Sequence, residues 1–408
     1  MGLPDRPRVV ILGGGFAGLA AAQGLVADRF DVTLVDRRTA FEFLPNIHEL
    51  LSGVKSPERL RLPLDRALGG LGHRFVNDTV TRVDSVERAV LVERGRGPIG
   101  YDALVVALGG VDATRGVTGV ADHAHPFKSV AECARIGDRL ADLDAGGRQA
   151  GIAIIGGGLE GVEALGEILR RYRRNEQFAV TLVEARERLL PEAPAGLDRR
   201  VRELCRPFNV TFEMDAPVQS IESDRVLLRD GRAIAADLVI WTGGPAPPPE
   251  LSASGLAADG AWAGVNASLQ SNAHDEVFVV GDAAELPAAI SRQAYHALDM
   301  GECAAANVAR FLDGRELVSY RPSSKPTLIS FGDLTCFMVV GERAASGAAL
   351  SVAKEAVFEL VMAQLDAAPW WRRIPGATAR AGQAAHELLW PTLTSPSALL
   401  RQANLRLL

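Results

Sequence analysis

Arg8-Val9-Val10-Ile11-Leu12-Gly13-Gly14-Gly15-Phe16-Ala17-Gly18 is a short β-branched run that enters a Gly13-x-Gly15-x-x-Gly18 turn. The alanine- and leucine-rich stretch 19–27 follows, and Asp31-Val32-Thr33-Leu34-Val35-Asp36 is a second β-branched run closed by an acid. Strand, glycine turn, helix, strand and acid, in that order, predict a βαβ unit that binds a dinucleotide. The first glycine permits the tight turn, the second lets the backbone approach a pyrophosphate, and the third lets helix and strand pack closely. The helix N-terminus presents free N–H groups and a positive dipole end to phosphates. The closing acid can accept hydrogen bonds from a ribose.

The same order recurs. Gly151-Ile152-Ala153-Ile154-Ile155 leads into Gly156-Gly157-Gly158-Leu159-Glu160-Gly161, a helical stretch runs to about Arg173, and Ala179-Val180-Thr181-Leu182-Val183-Glu184 closes the unit. Asp36 lies 18 residues beyond Gly18 and Glu184 lies 23 beyond Gly161, so the second helix is the longer one. One glycine motif is a weak signal, because glycine-rich turns are common. Two, each in a full βαβ context and each closed by an acid, predict a chain that holds two dinucleotides.

Other runs frame these units. Tyr101-Asp102-Ala103-Leu104-Val105-Val106-Ala107-Leu108-Gly109-Gly110 and Asp237-Leu238-Val239-Ile240-Trp241-Thr242-Gly243-Gly244 each read as a buried strand entering a glycine turn. Glu276-Val277-Phe278-Val279-Val280-Gly281-Asp282 is a strand ending in Gly-Asp. Residues 74–93 and 210–234 alternate in the manner of short antiparallel strands, and Pro245-Ala246-Pro247-Pro248-Pro249 is a stiff connection. A helix is predicted over 291–313, paired strands at 327–331 and 336–340, and a helix over 350–366 with Leu350, Val357, Leu360, Val361 and Leu365 on its inner side. The resulting fold class is α/β, with two Rossmann-like three-layer dinucleotide-binding domains and a smaller C-terminal α+β region. The expected divisions are 1–112 with 264–316, then 113–263, then 317–408.

The chain has 408 residues, 48% hydrophobic and 23% charged, as a soluble globular protein does. At about 150 residues per domain this suits two or three domains. The net charge of −6 argues against nucleic acid as a partner. The cysteines at 133, 205, 303 and 336 form no CxxC pair, so neither a metal site nor a disulfide framework is expected and the protein reads as cytoplasmic. No run reaches the roughly 18 apolar residues of a membrane span, and no signal peptide is evident.

These motifs together resemble the two-dinucleotide-binding-domain flavoproteins of the pyridine nucleotide–disulfide oxidoreductase superfamily, and within it the type II NADH dehydrogenases and their apoptosis-inducing-factor relatives. The resemblance covers about residues 7–345. It implies that FAD binds the first glycine unit and NAD(P)H the second. It places Gly13, Gly15, Phe16, Ala17, Gly18, Asp36, Arg37, Pro45, Ala107, Gly109, Gly281, Asp282 and Tyr295 around the flavin dinucleotide, and Gly156, Gly158, Gly161, Glu184 and Gly243 around the nicotinamide dinucleotide. The stretch Phe41-Glu42-Phe43-Leu44-Pro45 resembles the family segment beside the flavin, and Gly116–Val120 with Pro126-Phe127-Lys128-Ser129 resembles the connection into the second unit. Lys128 and Glu163 are the implied catalytic residues. Lys128 would supply positive charge near the flavin N1/N5 edge, and Glu163 would orient the nicotinamide. Glu184 favours NADH, because a carboxylate accepts from a ribose hydroxyl and repels a 2′-phosphate; Arg186 and Arg188 argue the other way.

The chain also departs from the resemblance. Residues 39–51 lack the cysteine pair of disulfide reductases. Where type II enzymes carry AQxAxQ beneath the quinone site, this chain has Ala294-Tyr295-His296-Ala297-Leu298-Asp299, with both glutamines replaced. A quinone or quinone-like acceptor is the leading expectation from the resemblance, and the missing glutamines support the runner-up, a flavin oxidoreductase of small-molecule biosynthesis. A slow redox sensor stays open beside them. Pro369-Trp370-Trp371-Arg372-Arg373, Trp390 and an amphipathic helix over 397–408 would suit a membrane surface, a homodimer contact or packing on the chain itself.

Overall fold

The computed structural model describes residues 6–95, 97–366 and 406–407. Two parallel sheets of the same design dominate it. The first runs Arg74–Asn77, Asp31–Asp36, Arg8–Leu12, Ala103–Val106, Val277–Val279. The second runs Val210–Glu213, Phe178–Val183, Ala150–Ile155, Leu238–Trp241, His125–Pro126. Their central strands are Val-, Ile- and Leu-rich and almost wholly buried, as a parallel sheet covered on both faces requires. Each glycine turn leads from the middle strand of its sheet into a helix, Phe16–Gly24 in the first and Leu159–Tyr172 in the second.

The edges correct the sequence reading. Arg74–Asn77 and Val210–Glu213, expected in small antiparallel sheets, are instead parallel edge strands. Only the remainder of each stretch is antiparallel, as the sheets of 80–84, 89–92 and 99–100 and of 218–221, 225–228 and 233–235. Edge strands are partly exposed, so their side chains alternate in the way antiparallel strands do. Val111–Asp112 pairs with Pro245–Ala246, so the stiff proline segment forms a two-stranded crossing between the two sheets.

Helix Ala294–Leu312 lies on helix Phe16–Gly24. A Cβ on Gly301 would stand 2.9 Å from the Ala20 Cβ, and one on Gly24 would stand 2.6 Å from the Ala305 Cβ. The two helices therefore meet almost backbone to backbone, and this fixes the helix that begins at Ala294 against the first glycine turn.

In the C-terminal region, Thr327–Phe331, Thr335–Val340 and Arg343–Ser346 form an antiparallel sheet, and Arg406–Leu407 joins its edge at Ser346 and Ala345. Those two residues are strand, which ends the helix expected over 397–408. Residues 369–373 and Trp390 lie outside the described residues. Helix Ala349–Leu365 buries Leu350, Lys354, Phe358 and Leu365, whereas Val357 and Leu360, expected on the inner side, are each 41% exposed. A charged residue holds the inward position because it has a buried partner, described below. Among the described residues no helix is long and apolar enough to cross a membrane.

Candidate functional site

The two glycine turns are built alike. Gly13 and Gly156 have φ of +101° and +114°, a region open to glycine but costly for residues with a Cβ. Their N–H groups donate to Val35 and Val183 carbonyls, each at 2.8 Å. A Cβ on Gly18 would strike the Gly13 carbonyl, and one on Gly161 the Gly156 carbonyl, so the last glycine of each turn serves close packing. The middle glycines differ. Gly15 and Gly158 have nothing within 4 Å of where a Cβ would stand. Each is followed by a helix N-terminus without a side-chain cap. Open space in front of uncapped N–H groups is what a dinucleotide pyrophosphate needs.

The acids are placed alike too. Asp36 accepts from the N–H groups of Gly14 at 2.6 Å and Arg38 at 2.7 Å. Glu184 accepts from Gly157 at 2.6 Å and Arg186 at 2.9 Å. Each carboxylate is thus locked beside its glycine turn, with lone pairs left for a ribose. The two arginines beside Glu184 are engaged elsewhere. Arg188 donates to the Leu190, Pro191 and Ala193 carbonyls, and Arg186 pairs with Glu192. Arg188 is thereby turned to backbone carbonyls, whereas Arg186 is held only by an exposed surface pair.

Between the sheets, Gly281 (φ +67°) brings Asp282 beside the first glycine helix, its would-be Cβ 3.3 Å from that of Ala17. Burial pushes the Asp282 carboxyl up, and Arg292 and Lys128 oppose that. Lys128 is ion-paired with Glu160 of the second glycine helix. Asp112, which sequence reasoning passed over, belongs to the same group. Burial first, then Glu132, pushes its carboxyl up to about 6, while Lys128 pulls it down. Arg37 is exposed and Pro45 half-buried; Ala107 is buried and Gly109 (φ +67°) has open space before it. A Cβ on Gly243 would meet the Trp241 indole at 2.5 Å, so that glycine lets the turn fold over its own strand.

Glu163 points away from Lys128. Its Oε1 accepts from Lys354 Nζ at 2.5 Å and from the Ser330 N–H at 3.0 Å, and its Oε2 lies 3.5 Å from His48 Nδ1. Burial pushes this carboxyl up; Lys354 and Ser330 oppose that. His48 is 1% exposed and held neutral by burial, with Lys354, Lys55 and Arg170 acting in the same direction. Two glycines bring these parts together. A Cβ on Gly166 would stand 2.6 Å from Gly332 N, and one on Gly137 would stand 2.7 Å from the Leu50 carbonyl. The second glycine helix thereby reaches the strand carrying Ser330, and helix Val130–Ala145 presses the segment carrying His48 inward. Neither His48 nor Lys354 was singled out in the sequence. Lys354 had a signal, since it stands four residues from both Leu350 and Phe358 on the buried face.

Tyr295, at the start of helix Ala294–Leu312, has its ring 4.2 Å from that of His296, with Lys325 Nζ 5.5 Å from its centre. Lys325 also binds Asp299 at 2.8 and 3.0 Å, and Ser323 donates to Asp299 at 2.6 Å. Strand Thr327–Phe331 joins this helix start to Glu163: Thr327 and Gln293 exchange hydrogen bonds at 3.0 and 3.1 Å, and Ser330 lies three residues on. The four cysteines are free, and burial pushes the Cys205 and Cys336 thiols up to about 12, which suits packing rather than redox work. Among the described residues no group of His, Cys, Asp and Glu is arranged to hold a metal.

Comparison with known proteins agrees with this geometry. The family model described as pyridine nucleotide-disulphide oxidoreductase matches residues 7–301. The chain is 27% identical over 357 residues to a type II NADH:quinone oxidoreductase of Staphylococcus haemolyticus, covering 80% of this chain and 88% of that one. It is 27% identical over 345 residues to demethylphylloquinone reductase NdbB of Synechocystis, covering 80% and 85%. Among solved structures, NDH2 of Plasmodium falciparum in complex with NADH superposes with a TM-score of 0.79 at 15% identity, over 88% of this chain and 95% of that one. The sulfide:quinone oxidoreductase of Aquifex aeolicus gives 0.78 at 19%, over 94% and 95%. Two repeated glycine turns, each with an open middle glycine and a locked acid, and a family model spanning both turns lead to one conclusion: the chain belongs to the pyridine nucleotide-disulphide oxidoreductase family.

Proposed function

We propose that this oxidoreductase is an NADH:quinone oxidoreductase, with FAD on the first glycine unit and NADH on the second. The observation that carries the reading is the pair of open middle glycines, Gly15 and Gly158, each set before an uncapped helix N-terminus and beside a locked acid. The relatives named for NADH:quinone and demethylphylloquinone reduction support the acceptor class. Bound there, FAD would supply the redox chemistry, a hydride acceptance from NADH and the release of two electrons to the acceptor. The chain's own residues bind and orient. Gly13, Gly15 and Gly18 with Phe16 and Ala17 cradle one pyrophosphate, and Gly156, Gly158 and Gly161 cradle the other. Asp36 and Glu184 hold the riboses, Asp282 the flavin's ribityl and phosphate portion. Lys128, partnered by Glu160, supplies positive charge to the cleft. Glu163 takes the place beside the nicotinamide, its carboxylate accepting from the Lys354 ammonium and the Ser330 N–H, both of which favour its charged form. The Asp299–Lys325 pair at the helix start favours a second reading, in which the acceptor is a soluble small molecule rather than a lipid quinone.

Glu184 tests the nicotinamide choice. Glu184→Gln keeps an acceptor for the Gly157 N–H and removes the charge. The ratio of kcat/KM for NADH over NADPH is expected to fall about tenfold, equivalent to about 1.4 kcal/mol. Steady-state assays with both nucleotides and a soluble quinone measure it; an unchanged ratio would remove Glu184 from the reading.

A further inference from the structure

The reduction of a quinone consumes two electrons and two protons. A hydride brings both electrons and one proton, so the second proton comes from water. Glu163, its side chain 13% exposed, is held by partners from three separate elements: Lys354 from the C-terminal helix, the Ser330 N–H from the C-terminal sheet, and His48 from the segment before helix Glu49–Ser52. Glu160 of its own helix and the Cys336 thiol are its other titratable neighbours. Lys354 and Ser330 both address Oε1. Oε2 faces the His48 ring.

We propose that His48 is a positioning residue for Glu163: its Nδ1–H donates to Oε2, so the carboxylate is held from both ends, by the imidazole and by the Lys354 ammonium, as it exchanges the proton of quinone reduction. The inference rests on the proposed function above and goes beyond it. The ring is fully enclosed, and the cations Lys354, Lys55 and Arg170 all disfavour charge on it. Two of these are already engaged, Lys55 with Glu49 and Glu355, and Arg170 with Glu167. Such surroundings keep the imidazole neutral, and a neutral imidazole carries one N–H. The carboxylate is acceptor-only when ionised, so it selects the tautomer protonated at Nδ1. Nε2 is left as a bare acceptor, and it is a buried atom without a hydrogen-bond partner. The 3.5 Å separation is long for a hydrogen bond, as such contacts commonly are before substrate binds.

The test uses the purified, FAD-loaded protein and a soluble quinone. His48→Leu removes the donor; His48→Asn keeps an amide N–H where Nδ1 stood and cannot titrate. Loss of a donor to the charged form raises a carboxylate's proton affinity. In His48→Leu, reoxidation of the reduced flavin by quinone is expected to slow about tenfold, with its pH profile displaced upward by about one unit. His48→Asn is expected to restore the wild-type profile. Independently of turnover, ¹⁵N NMR of the histidine rings is expected to show His48 neutral and protonated at Nδ1, a preference lost in Glu163→Gln. A His48→Leu profile identical to wild type, or a ring protonated at Nε2, would overturn the proposal. Should Glu163→Gln itself leave reoxidation and its pH profile unchanged, the functional reading of Glu163 fails, and His48 with it.

Discussion

Gly158→Val is expected to yield a folded, flavin-containing protein that NADH no longer reduces. The backbone at Gly158 has φ −75° and ψ −165°, a conformation any L-residue adopts, and nothing stands within 4 Å of the added Cβ. The substitution therefore adds no internal clash. What it fills is the space in which a pyrophosphate would approach the Gly158 backbone and the N–H groups of the following helix. The rate of flavin bleaching at limiting NADH is expected to fall on the order of 100-fold or more, about 2.7 kcal/mol of binding. The corresponding substitution in the first turn behaves differently. Gly15 has φ −78°, ψ −166° and the same open space, so Gly15→Val is expected to lose the flavin itself. Flavin absorbance of the purified variants, then stopped-flow reduction by NADH, separates the two. A Gly158→Val protein reduced at the wild-type rate would remove the second glycine turn from nucleotide binding.

Lys354→Met is expected to be the most destabilising single change near the site. Lys354 is buried and the Glu163 side chain is only 13% exposed, and their contact is direct at 2.5 Å. Removing one partner of such a pair strands the other charge and costs about 3–5 kcal/mol. The sign with pH follows from Glu163, whose carboxyl burial already pushes up. Without the ammonium it rises further. A carboxyl raised by folding contributes stability that is fully present below its unfolded value and is lost as pH rises through its folded value. The variant should therefore lie closest to wild type in acid and fall furthest behind above neutrality. Denaturant unfolding at about pH 5 and about pH 8 measures this. Replacing both partners, as Glu163→Gln with Lys354→Met, is expected to recover most of the loss at the higher pH. A deficit that does not grow with pH would contradict the burial of a charged pair.

The glycine turns were legible because their geometry is local. A tight turn, a close approach and an open approach fall within six residues, and the acid that locks each turn ends the next strand. Glu163 was legible for the same reason, two residues past Gly161. Its partners were not. His48 and Lys354 lie more than a hundred positions away on either side, brought in by packing through Gly137, Gly166 and Gly332. The helix carrying Lys354 misled in a specific way. Val357 and Leu360 offered an apolar face, yet the helix turns outward there and buries a lysine because a buried carboxylate awaits it. Edge strands misled similarly, since partial exposure gives a parallel strand the alternation of an antiparallel one. At Tyr295 and Asp299 the departure from the family motif was plain in the sequence, but the Lys325 contact that neutralises Asp299 was not.

The proposed route runs from NADH through FAD to a quinone. An anaerobic titration tests it most directly. Purified protein is followed by flavin absorbance as stoichiometric NADH is added, and a soluble quinone is then introduced. NADH is expected to bleach the flavin, and quinone to restore it. A flavin that NADH leaves oxidised, or that stays reduced when quinone is added, would contradict it.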